Sequence, residues 1–323
     1  SSALHNVHDM VKATIMVSEY CDWDFIKIMT TGHYPPEAWG GEITLSKDLT
    51  HWYGVIHRYP IEDLETLKAL KILNKDNPVF VRETQIAKQL VDYYKDEKPV
   101  ISTIFTPLTT LQELMSRGTN EKTLPLMREH KKEVHEALNK IVESTKIYLD
   151  MLIEEAHIDG IFFANQYASR NVITDELYDE FCAPYDKQIL EYIKDKTWFN
   201  VLHVHGENNL MFDKCLDYKV QAFSWENCVP GLESDTISSV AEVREMSDKI
   251  LITGLARHYD YYNEDNNREE LKAFFRKRLL TVINESKDKR VVFAPGCALP
   301  MDVDRYVFTL MHEVVMEEGL VND

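Results

Sequence analysis

The chain has 323 residues and a mass of 37.7 kDa, is 44% hydrophobic and carries a formal charge of -18. That length can bury a large core, as one big α/β barrel or as two smaller domains, and no apolar run approaches the roughly 18 residues that a bilayer-spanning helix needs. So acidic a chain opposes nucleic acid and anionic membrane as partners, and an anionic substrate has to be met by a local cationic pocket.

The first strand signal is "DFIKIM" at 24–29. From about residue 98 short β-branched or aromatic runs alternate with helical patterns, at 100–105, 158–164, 199–204, 219–225, 250–255 and 290–295. Such alternation specifies βα units and a parallel sheet. Between the strands, 121–156 reads as one or two charged outer helices, 175–194 as a helix capped by Thr174, and 267–286 as another. No repeat or Pro/Gly-rich linker divides the sequence, which reads as a single domain over 1–323. Seven strands are one short of a (β/α)8 TIM barrel, and the opening "SSALHNVHDMVK" looks like the middle of a helix. The expectation is a barrel whose first strand lies upstream of this sequence, the alternative being an open doubly wound sheet.

In such folds the working residues stand at the carboxyl ends of the strands. Lys27 ends the first run and offers a cation, or a surface lysine with a buried stem. Asn165, Gln166 and Tyr167 follow "IFF" at another strand end, where polar groups orient a substrate or merely form a loop. In "VLHVHGEN" (201–208), His203 and His205 are two residues apart, so both rings of a strand end face one point. Alone, the pair reads more readily as hydrogen-bonded polar residues of a barrel mouth than as ligands. One βα unit later "AFSWEN" places Glu226 at a strand end beside Trp225, a wall for the pocket or a core residue. Arg257 and His258 after "ITGLA" are a second anion contact, and the 259–267 loop a lid or a solvated connection. Cys297 in "FAPGCALP" follows a Pro-Gly turn, where backbone approaches a site closely. The five cysteines are scattered and no export signal accompanies them, so a reduced cytoplasmic protein is expected. Two nitrogens, a carboxylate oxygen and a thiolate from His203, His205, Glu226 and Cys297 suit tetrahedral Zn²⁺, with Cys228 as a substitute ligand.

The stretches "DWDFIKIMTTGHYPPEAWGG" (22–41), "IDGIFFANQYASRNVITDELYDEFCAPY" (158–185), "HVHGEN" (203–208) and "APGCALPMDV" (294–303) resemble the uroporphyrinogen decarboxylase superfamily. Within it they are most similar to the zinc-dependent branch that moves methyl groups from corrinoid proteins to thiols such as coenzyme M. The resemblance implies a (β/α)8 barrel, zinc, a methylcorrinoid donor on a partner protein, and an incoming thiol that displaces Glu226 or water. It also implies a protein that begins several tens of residues earlier. His203, Glu226 and Cys297 match the ligand pattern of the branch and of the related cobalamin-independent methionine synthase in type and order. His205 departs from it, standing where cysteine is usual. Tyr167 joins Glu226 among the expected catalytic groups, and Lys27, Asn165, Gln166, Trp225, Arg257 and His258 among the substrate contacts. Similar barrels are often dimers. A metal-free decarboxylase acting on a tetrapyrrole is the rival reading, with Cys297 where those enzymes carry histidine, and a binding protein with a structural metal is the third.

Overall fold

A computed structural model describes residues 6–28, 32–44, 54–227, 238–256, 267–288, 290–299 and 303–318. Its strands are β1 (Ile26–Ile28), β2 (Glu42–Thr44), β3 (Val55–Arg58), β4 (Val100–Phe105), β5 (Gly160–Asn165), β6 (Val201–Val204), β7 (Ala222–Ser224), β8 (Ile250–Leu255) and β9 (Val291–Pro295). Seven of them form one parallel sheet in the order β1-β4-β5-β6-β7-β8-β9, so each new strand is laid beside the preceding one. All seven expected strands are present. The antiparallel β2–β3 pair is an addition outside the sheet.

Parallel strands need crossovers, and helices supply them. Thr174 caps the helix Asp175–Phe181, and Asn267 caps Arg268–Ser286 through a side-chain bond from Glu269 N–H at 2.9 Å. The expected single helix at 175–194 is two, Asp175–Phe181 and Ala183–Ile193, joined at Cys182. Pro184 there has no N–H for the carbonyl one turn back, so the first helix ends.

Helix Val7–Cys21 packs against both Pro78–Tyr94 and Tyr306–Glu317, which draws the two ends of the strand order toward each other. At that junction Trp23 meets Phe308 edge-on at 6.2 Å, and Lys98 donates to Asp22 at 2.9 Å. The result is a curled, incomplete (β/α)8 barrel of seven described parallel strands.

Alternation along each strand sorts side chains between two environments. The inward set is Ile101, Phe199, Val201, Ala222 and Ile252, with Phe25, Phe162, Ile250, Val292 and Ala294 packed against it. The outward set, including Ile26, Ile161, Phe163, Leu202, Phe223 and Leu251, joins the helices in a separate core. An apolar floor therefore lies in the barrel beneath its carboxyl-end mouth.

Candidate metal centre at the barrel mouth

His203 is the penultimate residue of β6, on the inward phase, its neighbours across the sheet being Ala164 and Ser224. It is 7% exposed and stacks on Phe162 with ring centroids 5.2 Å apart. His205 lies one step beyond the strand, held by its N–H donating to the Asn165 carbonyl at 3.0 Å. The chain then turns at Gly206, whose φ of +139° is open only to glycine, and a Cβ there would press on Leu210 at 2.9 Å.

From β9, Cys297 closes the group. Its Sγ lies 3.9 Å from His203 Nε2 and 3.7 Å from His205 Nδ1, and the two nitrogens are 3.4 Å apart. Zinc bonds of about 2.05 Å to nitrogen and about 2.3 Å to sulfur give tetrahedral edges of about 3.3 Å between nitrogens and about 3.6 Å between nitrogen and sulfur. The observed spacings fit that figure closely, and the donor chemistry suits the same ion.

The protonation of His203 agrees. Burial lowers the pKa of His203, against a raising effect from Cys297, and His205 and Lys27 lower it further. A neutral ring is what a metal needs. With Nε2 turned to the group, the ring proton sits on Nδ1, which faces Ser224 Oγ at 3.4 Å.

Lys27 reaches the same mouth from β1. Its Nζ lies 4.4 Å above the Phe162 ring, the ring that stacks on His203. Burial pushes its pKa down to about 8, with Cys297 acting in the opposite direction.

Glu226 is 4% exposed and continues the inward phase of Ala222 and Ser224. A Cβ at Gly296 would fall 2.4 Å from Glu226 Cα, so the turn that carries Cys297 lies directly on the Glu226 backbone. The three donors that meet within 4.8 Å are nevertheless His203, His205 and Cys297; the Glu226 carboxylate is not among them. Among the described residues this is the one such group of His, Cys, Asp or Glu side chains.

Several expected contacts stand elsewhere. Asn165 points outward, fully buried, its Nδ2 donating to Asp186 Oδ2 at 3.1 Å and to Tyr178 Oη at 3.0 Å. Trp225 also points outward, packing on Phe212 at 5.2 Å and donating its indole N–H to Ser238 O at 2.8 Å. Tyr167 is fully buried in the core shared with the helices, where desolvation raises its pKa. These three are corrected from mouth residues to core residues, by strand phase for Asn165 and Trp225 and by burial for Tyr167. Gln166 is half-buried, its backbone N–H on Thr109 Oγ1 at 3.1 Å. Arg257, His258, Cys228 and the 259–266 segment lie outside the described residues. Ser224 and Phe162 were missed as supports for His203, although the same alternation places both inward.

A family model described as uroporphyrinogen decarboxylase (URO-D) matches residues 1–318. Two curated relatives, each named methylcobamide:CoM methyltransferase MtbA, come from Methanosarcina acetivorans and Methanosarcina mazei. The first is 23% identical over 219 residues, 60% of this chain and 60% of the relative; the second is 22% identical over 222 residues, 61% of this chain and 62% of the relative. The matched part thus spans less than two thirds of their length. A solved structure described as a methyltransferase from Methanosarcina mazei superposes with a TM-score of 0.77 at 17% identity, over 98% of this chain and 87% of that one. The fold is shared with that structure, and the family match runs through every strand that carries a donor: the chain belongs to the uroporphyrinogen decarboxylase (URO-D) family.

Proposed function

We propose that the chain is a methyltransferase that moves a methyl group from a methylcorrinoid, carried by a partner protein, to a thiol such as coenzyme M. Zinc would be held by His203, His205 and Cys297. The observation that carries this reading is the convergence of Nε2, Nδ1 and Sγ at 3.4 to 3.9 Å on an apolar floor. The names of the two Methanosarcina relatives supply the donor and acceptor classes.

Three protein donors would leave a fourth position for an exchangeable ligand, the arrangement of catalytic rather than structural zinc. Zinc in that setting lowers the pKa of a thiol and favours its thiolate. The protein supplies the rest. Ser224 fixes the His203 tautomer, and Glu226, buried on the same inward face, receives the proton from the S–H bond. Lys27 attracts the anionic end of the acceptor. Transfer would form the S–C bond from the sulfur pair as the donor's carbon–cobalt bond breaks with its pair left on cobalt, so the site must hold the thiol sulfur behind the methyl carbon.

The test is zinc content of the untagged protein, followed by methyl transfer from methylcobalamin to a panel of thiols, with Cys297→Ala as the control. Stoichiometric zinc and transfer that is lost in the control are expected. Bound zinc that no thiol ever approaches, read by X-ray absorption at the metal, would overturn the proposal. The family name favours a second reading, a tetrapyrrole decarboxylase, which predicts undiminished turnover in zinc-free protein.

A further inference from the structure

We propose that Asn165 is a positioning residue for the metal centre, coupling His205 at the mouth to a buried polar knot behind the sheet. The proposal rests on the zinc reading above and adds to it the part of the protein that aims one donor.

Asn165 ends β5 and serves two sides at once. Its backbone carbonyl accepts the His205 N–H at 3.0 Å, at the point where β6 has already ended at Val204. Its side chain faces the helices instead of the mouth. There Oδ1 accepts the Tyr167 N–H at 2.9 Å, and Nδ2 donates to Asp186 Oδ2 at 3.1 Å and Tyr178 Oη at 3.0 Å. Asp186 Oδ2 also accepts the Tyr218 hydroxyl at 3.0 Å, and Tyr178 Oη meets Tyr218 Oη at 3.1 Å and Cys215 Sγ at 3.3 Å. Asn165 and Asp186 are both 0% exposed.

Stability alone is a poor explanation for that knot. Among the described residues Asp186 Oδ1 has no hydrogen-bond partner, so a carboxyl group is desolvated with only one oxygen engaged. Burial raises its pKa to about 8, a measure of how unfavourable the charged form is there. Well-packed apolar residues often replace buried polar groups of this kind without loss. What they cannot reproduce is a fixed amide. Two donors and one acceptor on Asn165 are all engaged, which sets the end of β5 and with it the carbonyl that orients His205. Aspartate would set a second carboxyl against Asp186, and leucine would lose all three side-chain bonds.

The experiment compares Asn165→Ala, Tyr178→Phe and Asp186→Asn with the parent chain. It reads zinc affinity by competition with a chromophoric chelator, and the ligand-field spectrum of the Co(II)-substituted proteins. Outer partners of metal ligands are worth roughly 10- to 100-fold in affinity, so Asn165→Ala is expected to weaken zinc about 10-fold or more and to shift the cobalt bands. Asp186→Asn keeps an acceptor oxygen for Asn165 and Tyr218, and should hold parental affinity and spectrum. Should Asn165→Ala fail to fold, Tyr178→Phe, which removes one hydroxyl, is expected to shift the bands in the same protein fold. Parental affinity and unshifted bands in every variant that folds would overturn the proposal. A parent chain that binds no zinc at all would sink the metal reading itself, a distinct result seen before any variant is made.

Discussion

Gly296→Ala is the most direct probe of how the proposed metal centre is assembled. The new Cβ would stand 2.4 Å from both Glu226 Cα and Trp225 O and 2.7 Å from Glu226 N, all backbone atoms. Carbon contacts settle at roughly 3.5 Å or beyond, so one side must retreat by about 1 Å. The β7 side is poorly placed to yield, because Trp225 O already accepts the Thr253 hydroxyl at 2.6 Å and Trp225 itself is fully buried. The turn 295–297 moves instead, carrying the next residue, Cys297, with it. Metal–ligand distances tolerate only about 0.2 Å, so a shift of that size withdraws the sulfur. Overpacking of this kind costs about 1–3 kcal/mol. The expected results are a lower melting temperature without zinc, a smaller rise on adding it, and zinc affinity weakened by about 10-fold or more. Gly118→Ala is the control: its Cβ enters open space, so its strain, at φ +69°, should lower stability by about 1 kcal/mol and leave zinc affinity unchanged. Chelator competition and thermal melts decide the matter. Zinc affinity in Gly296→Ala equal to that of the parent chain would refute the placement of Cys297 on the Glu226 backbone.

Lys27→Met is expected to raise KM for an anionic thiol about 10-fold and to leave a neutral thiol of similar size unaffected, since only the charge over the Phe162 ring is removed; equal effects on both thiols would count against Lys27 as the anion contact. Asp186, with its pKa raised to about 8, contributes stability that is fully present below the ordinary carboxyl value of about 4 and is lost as pH rises through the folded value. Urea unfolding between those limits should therefore show a fall with pH that Asp186→Asn lacks, and parallel profiles would contradict it. His205→Cys adds a second thiolate, so zinc should bind more tightly while lowering the pKa of an acceptor thiol less. The pH midpoint of thiolate formation, followed in the Co(II) charge-transfer band, should move upward, and an unmoved midpoint would refute the charge argument.

The fold was largely legible because the sheet strands are β-branched runs, and the boundaries 100–105 and 250–255 match residue for residue. The β2–β3 pair was not, because three and four largely exposed residues with Glu42, Thr44, His57 and Arg58 among them make no apolar run. At the site, spacing alone brought His203 and His205 to one point. Strand phase decided most of the remainder. Ala164 pairs with His203 and Ser224 with His203 on its other side, so Asn165 and Trp225, each one residue later, must face the helices. That parity was available in the sequence once His203 was set inward. The distance between the Glu226 carboxylate and the other donors was not, because it depends on how closely the Gly296 turn lies on β7.

A three-donor centre changes the electrostatics that a four-donor one would have. Two neutral imidazoles and one thiolate bring a charge of −1, so a divalent ion leaves the group formally +1 before any acceptor binds, where an additional carboxylate ligand would have cancelled it. Lys27 adds a further cation, half-buried beside the same Phe162 ring. With zinc bound as proposed, this would make the mouth a cationic spot in a chain of net charge -18. Low-dielectric walls such as Phe162 and the apolar floor strengthen that local field at short range, whereas the surrounding acidic surface is screened over about 10 Å at ordinary salt. On the proposed reading an anionic thiol would be repelled weakly on approach and held strongly on arrival, so its affinity should depend on ionic strength far less than on the charge of Lys27 and of the metal group.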